Sequence, residues 1–389
     1  MTKKTKIVSS VIVLLGIIVL FFALTSKKNI LIVDDKIKGF EQEPIIDDEF
    51  VYVPLSVIEK LYNVTAQHKG DKQWQLTIND KTTEFDLISK EIIVNGEEYS
   101  DPLKVEEDKI MLPNTFIEEH YNLVASADSS EVSVKSKSTI PILMYHTVNE
   151  RPNDTINTQP ERFEEHLKAL SEANYNGITP FQLYDYYFNQ KDLPENPILI
   201  TLDDGYRDNY TTAYPILKKY GLQATVFVIA SRIEHEGVNN YPNEIPKFKW
   251  EEAHEMKDYI TIQSHTWDSH RKIEQQAGKD IGQIAAPQKK SDGTWETREE
   301  YVARITKDIS AAQDIIREKM GYESVIISYP YGESSEEVRE IASELGAKIG
   351  VTVKKGVNYS YESLMQLNRI TVDGNFTGEE LVKIIQETK

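Results

Sequence analysis

Apolar and polar positions alternate in two distinct rhythms along this chain. Between residues 51 and 136 the apolar stretches are short. Segments such as 74–78 ("WQLTI") and 131–135 ("EVSVK") alternate with period two, the mark of a half-buried strand. A short polar linker around residues 135–139 ends this region. Beyond it, continuous apolar runs ("PILMY", "PILITL", "ATVFVIA", "YITIQ", "VIISYP") come between amphipathic segments such as "PERFEEHLKALSEANY", "YPILKKYG" and "REEYVARITKDISAAQDIIREKM". Strand and helix in that succession predict a parallel sheet. If the sheet closes into a barrel, chemistry is expected at the C-terminal ends of its strands.

A third pattern precedes both. Lys3, Lys4 and Lys6 lead into an apolar run over residues 7–24, interrupted only by Ser9, Ser10 and Gly16. A bilayer core needs about 20 apolar residues, and a signal-peptide core is shorter and followed by a small-x-small cleavage site. The exit "FFALTSKKN" has no such site, so the run reads as an uncleaved anchor rather than a cleaved signal. The flanking lysines place the N-terminus inside and the remainder outside the cytoplasmic membrane. The expected division is therefore an anchor over residues 1–28, a small α+β domain over 29–137 and an α/β domain over 138–389.

The middle region is written twice. "VYVPLSVIEKLYNVTA" starts at Val51 and "IMLPNTFIEEHYNLVA" at Ile110, so that Pro54 matches Pro113, Ile58 Ile117, Tyr62 Tyr121 and Asn63 Asn122. Each copy reads as a strand, a proline opening a helix, and Tyr-Asn closing it. Duplicated units of this size pack together to share one core. The pattern resembles the copper amine oxidase N-terminal-like stalk repeats of bacterial surface proteins, which implies spacing or wall association rather than chemistry. His68 and His120 are isolated in sequence and read as surface residues.

Composition narrows the function. The 389 residues carry a net charge of −19, which argues against binding a polyanion. There is no cysteine, so disulfides, thiolate metal sites, cysteine nucleophiles and a lipidated cysteine are excluded.

Chemistry concentrates where the second rhythm predicts it. "LITLDDGYRDNY" (residues 199–210) ends a greasy strand in two adjacent carboxylates, Asp203 and Asp204. Neighbours on an extended chain point to opposite sides, so one can bind a metal while the other handles a proton. His265 and His270 stand in "SHTWDSH", after another strand. On a helix a five-residue step turns them about 140° apart, whereas on a loop the two imidazoles can converge. Two histidines and a carboxylate with open positions make a catalytic divalent-metal site.

"TLDDG", "SHTWDSH" and "YPYG", in this order, resemble the first three motifs of the NodB-homology polysaccharide deacetylases, carbohydrate esterase family four. With "LMYH" ahead of the aspartates, the likeness is nearest the poly-N-acetylglucosamine de-N-acetylase branch. The resemblance implies a distorted, incomplete (β/α) barrel. It implies Asp203 as general base, Asp204, His265 and His270 as ligands of a divalent metal (zinc, or else Co2+, Ni2+ or Fe2+), and the backbone N–H of Tyr331 in the oxyanion hole. The implied activity is hydrolysis of N-acetyl groups from N-acetylglucosamine-containing cell-surface or cell-wall polysaccharide. With the apolar N-terminal run and the acidic charge, the expected protein is an extracytoplasmic, membrane-anchored monomer with no nucleic-acid partner.

Three positions depart from the family pattern. Ser328 stands where the third motif has an arginine that steadies the base. The usual Asp-Trp motif is not recognisable near "VTVKKGVNYS". No histidine follows His270, so His146, at the end of "LMYH", is the expected general acid. These departures keep a rival reading open, a glycan-binding or wall-anchoring protein that retains the fold without turnover. Trp250 and Trp295 read as packing, Trp267 as packing or a sugar platform, and Asp268 as a partner of the ligands or a cap. His166, His235 and His254 read as solvated.

Overall fold

The computed structural model describes residues 30–33, 36–37, 43–47, 49–78, 81–128, 131–234, 245–274, 278–360 and 363–388. They form two compact units that divide between Ser136 and Lys137. The expected anchor over residues 1–28 lies outside the described residues, among which no helix is long and apolar enough to cross a membrane.

In the first unit the duplication becomes a local two-fold arrangement. The strands Val51–Pro54 and Lys109–Pro113 pair antiparallel, with Val53 opposite its own counterpart Leu112. Each runs into an eight-residue helix, Leu55–Tyr62 or Asn114–Tyr121, with proline at the N-terminal boundary. Each helix stops at an asparagine in the left-handed region, Asn63 (φ 52°) and Asn122 (φ 51°), a conformation asparagine adopts more readily than other side-chain-bearing residues. Tyr62 donates its hydroxyl hydrogen bond to the carbonyl of its counterpart Tyr121. Buried Ile58 and Ile117 contribute to the shared core. A five-stranded antiparallel meander over residues 67–99 lies between the copies in sequence, and the strand Ile30–Val33 pairs parallel with Glu131–Ser136. His68 is exposed as expected, but His120 is not: its ring sits between Tyr99 (5.2 Å) and Phe116 (4.6 Å) with its side chain only 10% exposed. The charged neighbours in "IEEHYN" disguise the helix face that this histidine shares with Phe116.

The second unit is built on a parallel sheet. Seven of its eight strands form one path: β1 (Ile142–Tyr145), β2 (Pro197–Asp204), β3 (Ala224–Val228), β4 (Ile260–Ser264), β5 (Ile326–Ser328), β6 (Ile349–Val351) and β7 (Ile370–Thr371), while the two-residue strand Asn176–Gly177 pairs with the start of β2 off that path. The spatial order is β6-β5-β4-β3-β2-β1-β7. Strands β2 and β3 are buried along their whole length, which is why they read as continuous apolar runs. One parallel bridge between Val351 and Leu367 joins the β6 edge to the segment that enters β7, so the sheet curls into a distorted (β/α) barrel. The first and last strands are neighbours, with Leu143 opposite Ile370. Helices α1 (Pro160–Glu172) and α3 (Gly378–Glu387) pack against each other, and α2 (Arg298–Met320) packs against β4. Helix α2 starts at a reciprocal capping box, Thr297 with Glu300, and ends at Gly321 (φ 78°).

Candidate active site

Residues just past the strand ends supply the site. Asp203 and Asp204 close β2, His265 follows β4, and His270 ends the loop beyond it. Three residues bearing side chains hold positive φ here: Asp204 (77°), Thr266 (73°) and Tyr331 (61°). Such backbone costs about 1–3 kcal/mol per residue and persists where the surroundings over-determine it. Gly332 makes part of this turn possible, because a Cβ there would meet the Val353 amide nitrogen at 2.5 Å.

Asp204, His265 and His270 converge. The Nε2 atoms of His270 and His265 lie 3.3 and 3.5 Å from Asp204 Oδ1, and the two imidazole rings are 4.9 Å apart. That oxygen is buried and has no hydrogen-bond partner, while Oδ2 accepts from the Tyr206 hydroxyl at 2.9 Å. Lys247 Nζ lies 3.6 Å above the Tyr206 ring. His265 Nδ1 is 2.6 Å from the Ser328 carbonyl, which can only accept. Nδ1 therefore carries the proton, and the Nε2 lone pair faces Asp204. Burial opposes the charge on Asp204, but His270, His265 and Lys247 outweigh it and hold the carboxyl below the ordinary range. His270 is lowered to about 4, first by burial and then by His265, against the pull of Asp204.

These three residues fit a divalent cation. A neutral imidazole nitrogen with a fixed tautomer and an unsatisfied buried carboxylate oxygen are the donors it requires. Ligand atoms bonded at about 2.0–2.1 Å in tetrahedral geometry stand roughly 3.3 Å apart, close to the separations seen here. Among the described residues this is the one group of three His, Cys, Asp or Glu with ligand atoms so close together.

Asp203 faces a different partner. Arg369, fully buried, grips it in a two-pronged contact, Nη1 to Oδ1 and Nη2 to Oδ2, both at 2.8 Å. Nη2 also donates to Ser328 Oγ (3.1 Å), Nη1 to Thr201 Oγ1 (3.3 Å) and Nε to the Thr352 carbonyl (2.7 Å). Burial pushes the Asp203 carboxyl up, but the Arg369 charge, the neighbouring His265 and the Arg369 hydrogen bonds prevail and keep it low. Sequence comparison with the family motif left Asp203, the expected base, without its arginine. The structure supplies one from the entry to β7, and Ser328, at the motif position, completes the clasp with its hydroxyl 3.3 Å from Asp203. The sequence signal was "LNRITV", a lone arginine among residues that suit a strand.

His146 follows β1, and its Nδ1 is buried without a hydrogen-bond partner. Burial lowers its pKa, while Asp203 and Asp204 pull the other way. Asn209, fully buried, holds the His146 carbonyl at 2.8 Å. The Tyr331 ring packs 4.7 Å from His270 and stays 36% exposed. Trp250 is buried in the core and Trp267 packs against it. Asp268 accepts from Arg271 (2.6 Å) and lies 3.7 Å from Arg232 Nε. His254 is exposed and His235 lies outside the described residues. His166 is no solvated residue: it is fully buried, with Nε2 2.6 Å from the Phe376 carbonyl and Nδ1 3.2 Å from the Tyr145 hydroxyl.

Comparison with known proteins agrees with this architecture. Residues 190–350 match the polysaccharide deacetylase family model, and residues 32–136 match that of the copper amine oxidase N-terminal domain. The Bacillus subtilis protein YxkH, named as a polysaccharide deacetylase, is 28% identical over 262 residues, 67% of this chain and 81% of that protein. The Escherichia coli poly-β-1,6-N-acetyl-D-glucosamine N-deacetylase is 23% identical over 255 residues, 62% of this chain but only 38% of its own length. A solved de-N-acetylase from Aggregatibacter actinomycetemcomitans superposes with a TM-score of 0.57 at 24% identity, covering 64% of this chain and all of that one, a likeness of fold. By these matches residues 190–350 are a polysaccharide deacetylase domain of the NodB-homology type, and residues 32–136 a copper amine oxidase N-terminal domain.

Proposed function

We propose that this protein removes N-acetyl groups from an N-acetylglucosamine-containing polysaccharide, releasing acetate and leaving free amines. The observation that carries this reading is the division of labour at the end of β2. Asp203 is clasped by Arg369, while Asp204 faces two imidazoles. Asp204, His265 and His270 would hold a divalent cation, zinc by the chemistry of the donor set. When bound, such a cation lowers the pKa of water and polarises a carbonyl.

The chain's own residues do the rest. Asp203, kept ionised and aimed by the Arg369 fork, takes the proton of the attacking water. The amine leaves poorly as an anion, so a proton must reach nitrogen, and His146 is the group assigned to deliver it. The Tyr331 backbone N–H is assigned to the developing oxyanion. The rival reading, a glycan-binding protein without turnover, leaned on the missing arginine and the missing Asp-Trp motif. Arg369 removes the first of these supports. The E. coli relative's name supports poly-β-1,6-N-acetylglucosamine as substrate class. The lysine-flanked apolar run over residues 7–24 supports action outside the cytoplasmic membrane, by a tethered monomer whose first unit serves as spacer.

Acetate release from poly-N-acetylglucosamine, peptidoglycan and chitin oligomers by zinc-supplied protein tests the reading. Release is expected from at least one polymer. A folded His146→Ala variant is expected to keep its zinc and lose most turnover. Loss of zinc instead of rate would remove His146 from the acid role.

A further inference from the structure

His265 and His270 belong to one loop, and the ends of that loop are fixed by different means. His265 is anchored through Nδ1 on Ser328, directly after a buried strand. His270 comes five residues on, past Thr266 in the left-handed region. A non-helical turn of this kind has no internal ladder to hold its amides, so they must find partners elsewhere. Two of them find the same side chain. The Trp267 N–H donates to Asp308 Oδ1 at 3.1 Å and the Asp268 N–H to Asp308 Oδ2 at 2.9 Å. The Ser269 hydroxyl bonds the same carboxylate. Asp308 stands mid-way along α2 and is half-buried.

The opposite side of the loop is held too. The Thr266 and Trp267 carbonyls accept from the Ala230 and Ser231 amides, at 3.0 and 3.1 Å. The Ser269 N–H donates to Thr266 Oγ1 at 3.2 Å. One carboxylate on a rigid helix therefore receives consecutive N–H groups, as an anion does in a backbone nest.

We infer that Asp308 is a positioning residue that presets the His270 side of the metal site by clamping the loop between the two histidines. It touches neither ligand nor substrate. Its two oxygens fix the orientation of two successive peptide units, and that orientation sets where His270 emerges. Only a carboxylate can do this. An amide in its place accepts through one oxygen and points its NH2 at the other N–H, donor against donor.

The inference rests on Asp204, His265 and His270 forming a metal site, and the test separates the two. Zn2+ affinity of the full chain is measured by competition with a chromogenic chelator, alongside amide exchange of residues 266–269. Wild type is expected to bind one Zn2+ and His270→Ala to lose it. Asp308→Asn is expected to bind about 10- to 100-fold more weakly, the usual cost of losing a partner that orients ligands. Its Trp267 and Asp268 amides should exchange faster. Asp308→Asn with wild-type Zn2+ affinity, whatever its melting temperature, overturns the clamp and leaves the metal site standing. Equal Zn2+ binding by wild type and His270→Ala overturns both. If Asp308→Asn does not fold, Ser269→Ala decides the matter: it removes one donor and should weaken Zn2+ measurably, and an unchanged affinity rejects the clamp.

Discussion

Each unit of this protein buries a histidine, and the two cases differ instructively. In the first unit His120 lies between Tyr99 and Phe116, and neither ring nitrogen has a hydrogen-bond partner. In the second, His270 lies beside His265 with Nε2 turned to a carboxylate oxygen. Both are lowered to about 4, and burial is the first cause for both. By protonation alone they are indistinguishable. The second causes separate them: Lys81 for His120, and a second histidine with an opposing aspartate for His270. A perturbed histidine is therefore no site in itself. Convergence of donors on one point makes the difference.

The largest effect is expected at the clasp that holds Asp203. Arg369→Ala leaves the buried Asp203 charge uncompensated, which costs about 3–5 kcal/mol of stability, read by denaturant unfolding. Replacing both partners, Arg369→Met with Asp203→Asn, should recover part of that loss, because no bare charge remains. In any Arg369→Ala protein that folds, Asp203 loses the charge that kept its pKa low. The acid limb of the pH–rate profile should then move to higher pH. An unchanged limb and stability would mean that the fork is decorative.

Acid should separate the two histidines next. The unfolded chain protonates His120 near its ordinary value of about 6.5, whereas the folded chain resists until about 4. Between these values the unfolded state binds more protons, so stability falls as pH falls through that window. For one such group the loss at pH 5, relative to pH 8, is about 2 kcal/mol. His120→Phe, an aromatic ring in an aromatic pocket, should abolish this share at pH 5 and change little at pH 8. Saturating Zn2+ should protect the second unit in the same window and leave the first unaltered. Zinc protection of the first unit, followed by amide exchange at residues 114–121, would break the contrast.

The smallest effect is expected from removing the first unit. A chain starting at Ser138 should deacetylate soluble oligomers at close to the full-length rate. A folded truncation without turnover would make the first unit part of the active site.

How much of this was legible depends on where each contact lies along the chain. Asp203, Asp204, His265 and His270 were readable because the strands before them are buried and continuous, and the polar residues come at their ends. The repeat was readable because its halves align by identity. Arg369 was not, because its partner lies 166 residues away and the strand it leads into is two residues long. The motif position pointed to Ser328, which shares the clasp without supplying the charge. Asp308 sits on a helix full of charges, where a carboxylate facing a loop looks like one facing water. His120 and His166 were misread for the same reason, since charged neighbours in sequence conceal a buried face.

The central claim is that Asp203 acts on a proton while Asp204 serves the metal. It is tested most directly by acetate released from poly-β-1,6-N-acetylglucosamine by zinc-supplied wild type and Asp203→Asn, with zinc content measured on both. Wild type should release acetate, and Asp203→Asn should be slower by about 10²–10⁴-fold with its zinc retained. An Asp203→Asn protein that turns over at the wild-type rate, or that loses its zinc, would contradict the account.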